Sequence, residues 1–170
     1  MVKLTSVDYA NLVQFTALKL HMALLNKTQV NKILFYIYGA YMADNKGALL
    51  FDDDTPKAWT YGPVFPVPNK KVVTCQIIKQ EDFSEEKIKA FREKKNALKL
   101  VTDVVAHMYD KSAVSLTEWS HQPGSPWYQT VYVLNEDGSV RSQNPWNTEI
   151  DSTLIRDYFS HKENRIFDEQ

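Results

Sequence analysis

Ala58-Trp59-Thr60-Tyr61-Gly62-Pro63-Val64-Phe65-Pro66 and Ser120-His121-Gln122-Pro123-Gly124-Ser125-Pro126-Trp127 are the two stretches on which the fold turns. Each sets large aromatic rings beside glycine and proline. Gly62 permits a positive φ or a close backbone approach, and Pro63 fixes its own φ and removes a donor. Trp59, Tyr61 and Trp127 are too large to stand beside such corners in water, so both stretches read as fixed turns wrapped in apolar surface. Neither supplies an obvious nucleophile, metal cage or phosphate cradle. Trp59, Tyr61, Gly62, Pro63, His121, Pro126 and Trp127 are read as architecture.

Helices flank these corners. A first helix starts near Ser6 with Asp8 in its first turn, and Leu12, Phe15, Leu18, Met22 and Leu25 recur at helical spacing. Asn26-Lys27 makes a break, and Thr28 is the expected N-cap of a second helix. Val30, Ile33, Leu34, Ile37 and Tyr41 line one side of it, while Phe35, Tyr36 and Tyr38 cover the rest, so this helix is expected at the centre. Gly39 in its middle costs about 1 kcal/mol against Ala, which a close helix–helix contact would explain. Ala48 to Phe51 reads as a short strand, and Thr55-Pro56 as a helix start with Thr55 as cap. Val72 to Ile78 alternates in part and reads as a strand, with a helical turn near Val67 to Val72 as the alternative.

Ser84 caps a long helix that runs through Ile88, Phe91, Leu98, Val101, Val105 and Met108. Ser112 caps a shorter one, with Ser115 and Glu118 as a capping box one turn further in. A helical turn follows Trp127, and Glu136 to Ser139 is a turn. Thr148 or Asp151 starts a last helix that carries Ile150, Leu154, Ile155, Tyr158 and Phe159. Residues 161–170 read as a loose polar tail. The sum is a mainly α chain, α+β in class. Its core is a single bundle-like domain with a small two- or three-stranded β element.

A chain of 170 residues can bury about two thirds of the surface its unfolded form exposes. Its 20 basic and 21 acidic residues argue against general nucleic-acid binding, which shows a basic excess. The single Cys75 rules out an internal disulfide and a thiolate zinc cage, and suits a reducing compartment. No signal-peptide layout opens the chain, and Leu18 to Leu25 is interrupted by Lys19 and His21. The expectation is a cytoplasmic protein with no membrane partner.

Three clusters could carry chemistry. Ser120 and His121 resemble a nucleophile and base, but neighbours on a helix do not face each other. His121 is expected to end a helix near its negative pole and to hydrogen-bond nearby backbone. Asp52, Asp53 and Asp54 lack the spaced ligands of a calcium loop and read as a helix start. Lys87 to Lys95, with Lys70 and Lys71, could form an electrostatic surface, yet acidic residues interrupt it. The four histidines have no ligand spacing, and no phosphate-binding glycine motif is present. No metal, cofactor or nucleic-acid site is expected.

Three blocks in order resemble the Panacea domain, the SocA-like antitoxin family that includes phage-associated GepA-like proteins. Lys32-Ile33-Leu34-Phe35-Tyr36 with Ala40-Tyr41-Met42 is similar to the family's first helix motif. Gly47 to Phe51 and Ala58 to Val64 are similar to its glycine-proline-valine corner. Ser112-Ala113, Leu116, Ser120-His121 and Pro126-Trp127 are similar to its third block, with Ser120 standing where the family has Thr. After the corner the family often continues with a Val-Tyr pair at a helix start, where this chain reads Phe65-Pro66-Val67-Pro68-Asn69. The resemblance covers about residues 28–160.

That resemblance implies a non-enzymatic antitoxin that neutralises a cognate toxin protein by direct contact, in a bacterium or encoded by a phage. It also implies a role, taken by SocA-like members, as an adaptor that delivers the toxin to an ATP-dependent protease. In that picture the seven corner residues support a partner-binding surface. Two alternatives stay open at this point: a small hydrolase-like enzyme using His121, and a regulatory DNA-associated protein using the Lys87 to Lys95 face.

Overall fold

Thr5 begins the helical part of the chain. Its hydroxyl accepts from the Asp8 amide while the Asp8 carboxylate accepts from the Thr5 amide, and this reciprocal cap opens helix α1 (Ser6–His21). Asn26 and Gln29 repeat the device at helix α2 (Lys27–Asp44). The cap expected at Thr28 therefore lies two residues earlier, because Thr28 is already inside the helix. In this computed structural model residues 1–165 are described.

Helix α2 is buried at every residue from Val30 to Met42. It packs against α1, against α5 (Ala97–Met108), against α6 (Ala113–Ser120) and against α8 (Ser152–Ser160). Ile33, Leu34 and Ile37 are wholly enclosed, and each such side chain contributes about 1.5–3 kcal/mol. The close approach expected at Gly39 is present. A Cβ there would lie 2.1 Å from the Phe159 ring of α8. That ring also meets Phe35 and Tyr36 edge-on, with centroids 5.8 and 5.1 Å away.

The β content is small. Strands β1 (Lys57–Trp59), β2 (Gly62–Val64) and β5 (Thr148–Glu149) form an antiparallel sheet in the order β2-β1-β5. Trp59 pairs with Gly62, so Thr60-Tyr61 is the two-residue tip of a hairpin. Strands β3 (Tyr132–Leu134) and β4 (Val140–Gln143) make a separate hairpin. Helices α3 (Pro66–Lys71), α4 (Glu85–Glu93) and α7 (Pro126–Val131) complete the mainly helical chain with its small β element.

Several local expectations are corrected. Thr55-Pro56 starts no helix and leads into β1. The neighbouring Asp54 instead caps α3 from a distance, accepting from the Val67 amide at 2.7 Å, while Pro66 occupies the first helical position. Residues 66–71 are thus helix. Val72 to Ile78 is not a strand, since Cys75 adopts φ 58° and its amide binds the Leu25 carbonyl at 2.9 Å. Ala48 to Phe51 is not a strand either, because the Lys94 ammonium takes the Leu49 and Leu50 carbonyls.

The long helix expected from Ser84 onward is two helices. Asn96 stands at φ 59°, a left-handed position that Asn tolerates, and turns α4 into α5. Ser112, not Ser115, supplies the cap of α6, accepting from the Ser115 amide at 3.0 Å. Asp151 caps α8, and Thr148 lies in β5. The start of the expected loose tail is fixed, for Arg165 forks onto Asp44 at 2.6 and 3.1 Å. The rest of that tail lies outside the described residues. Among the described residues no helix is long and apolar enough to cross a membrane.

Candidate functional site

Burial of α2 on every side encloses Lys32, which is 1% exposed. Its ammonium donates to the Pro63 carbonyl at 3.2 Å. Burial lowers its pKa to about 7, because the charged form has lost its water. Gly62 sits beside it at φ +108°. A Cβ on Gly62 would lie 2.4 Å from Ser120 Oγ and 2.6 Å from Lys32 Cε, so only a glycine lets β2 pass between α2 and α6. Residues remote in sequence meet here: Lys32 from α2, Gly62-Pro63 from the hairpin and Ser120 from the end of α6.

Ser120 is occupied structurally. Its hydroxyl donates to the Thr117 carbonyl at 2.9 Å, and its own carbonyl accepts from Ser125 Oγ at 2.8 Å. Ser125 also accepts from the Tyr128 amide and so caps α7, with Pro126 at the first helical position. Trp127 is buried, and its indole N–H donates to the Trp59 carbonyl at 2.7 Å, tying α7 to β1. Pro126, Gly62 and Pro63 are buried as well.

His121 ends α6, and its backbone N–H reaches the Thr117 and Glu118 carbonyls. Among the described residues its ring makes no hydrogen bond to the backbone, contrary to expectation. It lies flat on Trp127, with centroids 3.7 Å apart and planes 12° apart, and its Nε2 is buried without a partner among the described residues. Burial and the nearby Lys32 charge lower its pKa. A cavity of about 310 Å³ opens beside it, bordered by Trp59, Trp127, Tyr132, Asn144 and Trp146 among others. Among the described residues none that lines it is acidic. The described residues thus place no carboxylate in that cavity to orient His121.

Two of the aromatic rings expected inside are not fully buried. Tyr61 is 71% exposed, because the tip of a two-residue hairpin turn points away from the sheet. Trp59 is half-buried. Its indole N–H donates to Asn147 Oδ1 at 2.8 Å, and its ring leans on Trp146 at 5.2 Å. Trp146 is itself 65% exposed. Trp59, Thr60 and Trp146 form a wall between the His121 cavity and a second cleft of about 270 Å³, which Lys32 lines.

The other candidate clusters disperse. Asp52 pairs with Lys3, Asp53 accepts from the Ser6 amide and hydroxyl, and Asp54 caps α3. On α4, Lys87 pairs with Asp8 at 2.8 Å and Lys89 with Glu93 at 3.8 Å, so the basic run is partly neutralised. Trp146 was not read as a site residue from the sequence, and Lys32 and Ser120 entered only as a motif position and a discounted nucleophile. The available signal was a lone lysine inside the most apolar helix of the chain.

A family model described as the antitoxin SocA-like Panacea domain matches residues 30–128. The chain belongs to that family. No curated protein and no solved structure shows significant similarity to it. The Panacea match runs from the first turn of α2 into α7. It contains Lys32, Gly62, Ser120, His121 and Trp127, so the interlocked junction lies within the Panacea segment. Helices α1 and α8 lie outside the matched residues, although α8 closes the core against Gly39.

Proposed function

We propose that this Panacea protein binds a cognate toxic protein directly and neutralises it, in the cytoplasm of a bacterium or of a phage-infected cell. Membership of the antitoxin SocA-like family carries this reading. The geometry supports it in a particular way. The junction of Lys32, Gly62, Ser120, His121 and Trp127 fixes the β1–β2 hairpin rigidly against α2, α6 and α7. On the outside of that hairpin stand Tyr61, Trp59 and Trp146, the residue types that dominate binding hot spots. A rigid base with exposed aromatic anchors lowers the ordering cost of association. An interface of standard size would bury about 1,600 Å² in total. Occlusion of the toxin and its delivery to an ATP-dependent protease both begin with this contact.

A hydrolase at His121 has weaker support. Ser120 Oγ is engaged with the Thr117 carbonyl, the His121 ring is stacked, and its cavity has no acidic lining residue among the described residues. Co-expression tests the proposal. The product of the neighbouring open reading frame should arrest growth alone, and this protein should restore it. Equal killing with and without this protein would end the reading. A toxin half-life shortened only in its presence would add delivery to a protease.

A further inference from the structure

The Lys32 ammonium carries three N–H donors and makes one hydrogen bond, to Pro63. Among the described residues no carboxylate pairs with it. An enclosed ammonium without an anion is costly, and proteins rarely keep one unless something else completes it. Lys32 also borders the cleft of about 270 Å³, together with Lys27, Asn31, Asn69, Trp59 and Trp146. Among the described residues, those lining that cleft include two lysines and no Asp or Glu. Lys27, Thr28 and Asn31 belong to the first turns of the 18-residue α2, whose positive end adds to the potential there.

We infer that this cleft is a socket for one carboxylate, carried by an Asp or Glu side chain of the protein partner. The inference rests on the partner-binding reading above. Several features select the occupant. Among the described residues the lining holds no arginine, so it offers no bidentate fork of the kind that suits a phosphate. One enclosed ammonium matches a single negative charge. Tyr61 and Trp146 border the cleft yet remain largely exposed, and a free acid in the socket would leave them in water. A protein segment covers both while its carboxylate reaches Lys32. A neutral isostere in the same position leaves the ammonium unmatched in a dry site, so the socket discriminates between acid and amide.

The test reads Lys32 directly. The full chain is labelled with ¹³C,¹⁵N-lysine, and the Lys32 side-chain signal is assigned by its loss in Lys32→Met. The probe is N-acetyl-glutamate methylamide, and the control is the glutamine counterpart. The glutamate probe should shift the Lys32 signal saturably in the millimolar range, about the strength of one buried contact, and the glutamine probe should leave it in place. No shift up to about 50 mM, a weaker regime than any single specific contact here requires, would overturn the socket. Equal shifts with both probes would also overturn it. In cells, Lys32→Met should fold yet lose neutralisation by tenfold or more in the toxin dose tolerated, about one hot-spot contact. Should wild type fail to neutralise, the functional reading falls while the probe experiment still decides the socket. Should wild type and Lys32→Met neutralise alike, the socket alone falls. If Lys32→Met does not fold, the Lys32 signal is assigned instead from triple-resonance spectra of uniformly labelled wild type, and its titration remains decisive.

Discussion

Gly62 is the residue with the least freedom to change. Two independent costs meet there: a φ of +108° that other residues resist, and a Cβ position already filled by Ser120 Oγ and Lys32 Cε. Gly62→Ala should lower stability by about 3 kcal/mol, the sum of backbone strain and overpacking. Gly124 is the control. It has φ +86° but nothing within 4 Å, so Gly124→Ala should cost only about 1 kcal/mol. Urea melts of the pair compare them, and equal losses would show that the junction is not tight.

Lys32 makes a pH prediction. Its pKa is about 7 in the folded chain and 10.5 when exposed. Between those values the unfolded state binds more protons, so wild-type stability gains from Lys32 as pH rises from about 7 toward 10. Lys32→Met removes this dependence. The variant should exceed wild type by about 1–4 kcal/mol near neutral pH, as apolar replacements of buried charges do. The gap should close as pH rises. His121 has a lowered pKa and has finished titrating at that point, whereas Tyr9 and Tyr38 are raised and titrate above it. Denaturation of both proteins across that window measures the difference, and a constant gap would refute an enclosed, titrating lysine.

Two elements depend on single residues for their geometry. At α2 and α8 the Phe159 ring occupies the space beside Gly39. Helix propensity favours Gly39→Ala by about 1 kcal/mol, but the 2.1 Å clash outweighs it, and a net loss of about 1–3 kcal/mol is expected. Pairing Gly39→Ala with Phe159→Leu should recover part of that loss in a double-mutant cycle on melting temperature. At the α4–α5 break, Asn96 holds φ 59°. Asn96→Gly should be close to neutral and Asn96→Ala should cost about 1 kcal/mol, as left-handed positions do. If Ala proved the better residue, the break would not be fixed by that backbone conformation.

For the whole molecule, the junction and the exposed aromatic face should separate by mutation. Tyr61 and Trp146 are mostly in water, so Tyr61→Ala with Trp146→Ala should leave the melting temperature nearly unchanged. The same variant should weaken the complex with the purified toxin by tenfold or more, measured by calorimetry. Unchanged affinity would move the interface to another face.

Much of this chain was legible in one dimension. Helix starts at Ser84 and Ser112 follow from hydroxyl caps, and the burial of α2 follows from apolar residues on all its sides. The order of the three motif blocks pointed to the Panacea family. The break at residues 94–96 was not legible, since apolar spacing continues across it while an extended Lys94 and a left-handed Asn96 interrupt the helix. Nor was the meaning of Thr55-Pro56, because the acidic group beside it caps a helix that begins further along the chain.

The amino-acid order set what each segment prefers: its helical or extended state, its caps and its apolar face, all of which act between residues a few positions apart. The assembled fold alone decided that Lys32 is enclosed with no carboxylate partner among the described residues, that Gly62 threads between Lys32 and Ser120, and that Trp127 is sealed while Tyr61 and Trp146 face water. Such pairings join residues distant along the chain, and they are fixed only when helices and hairpin pack and compete for the same volume.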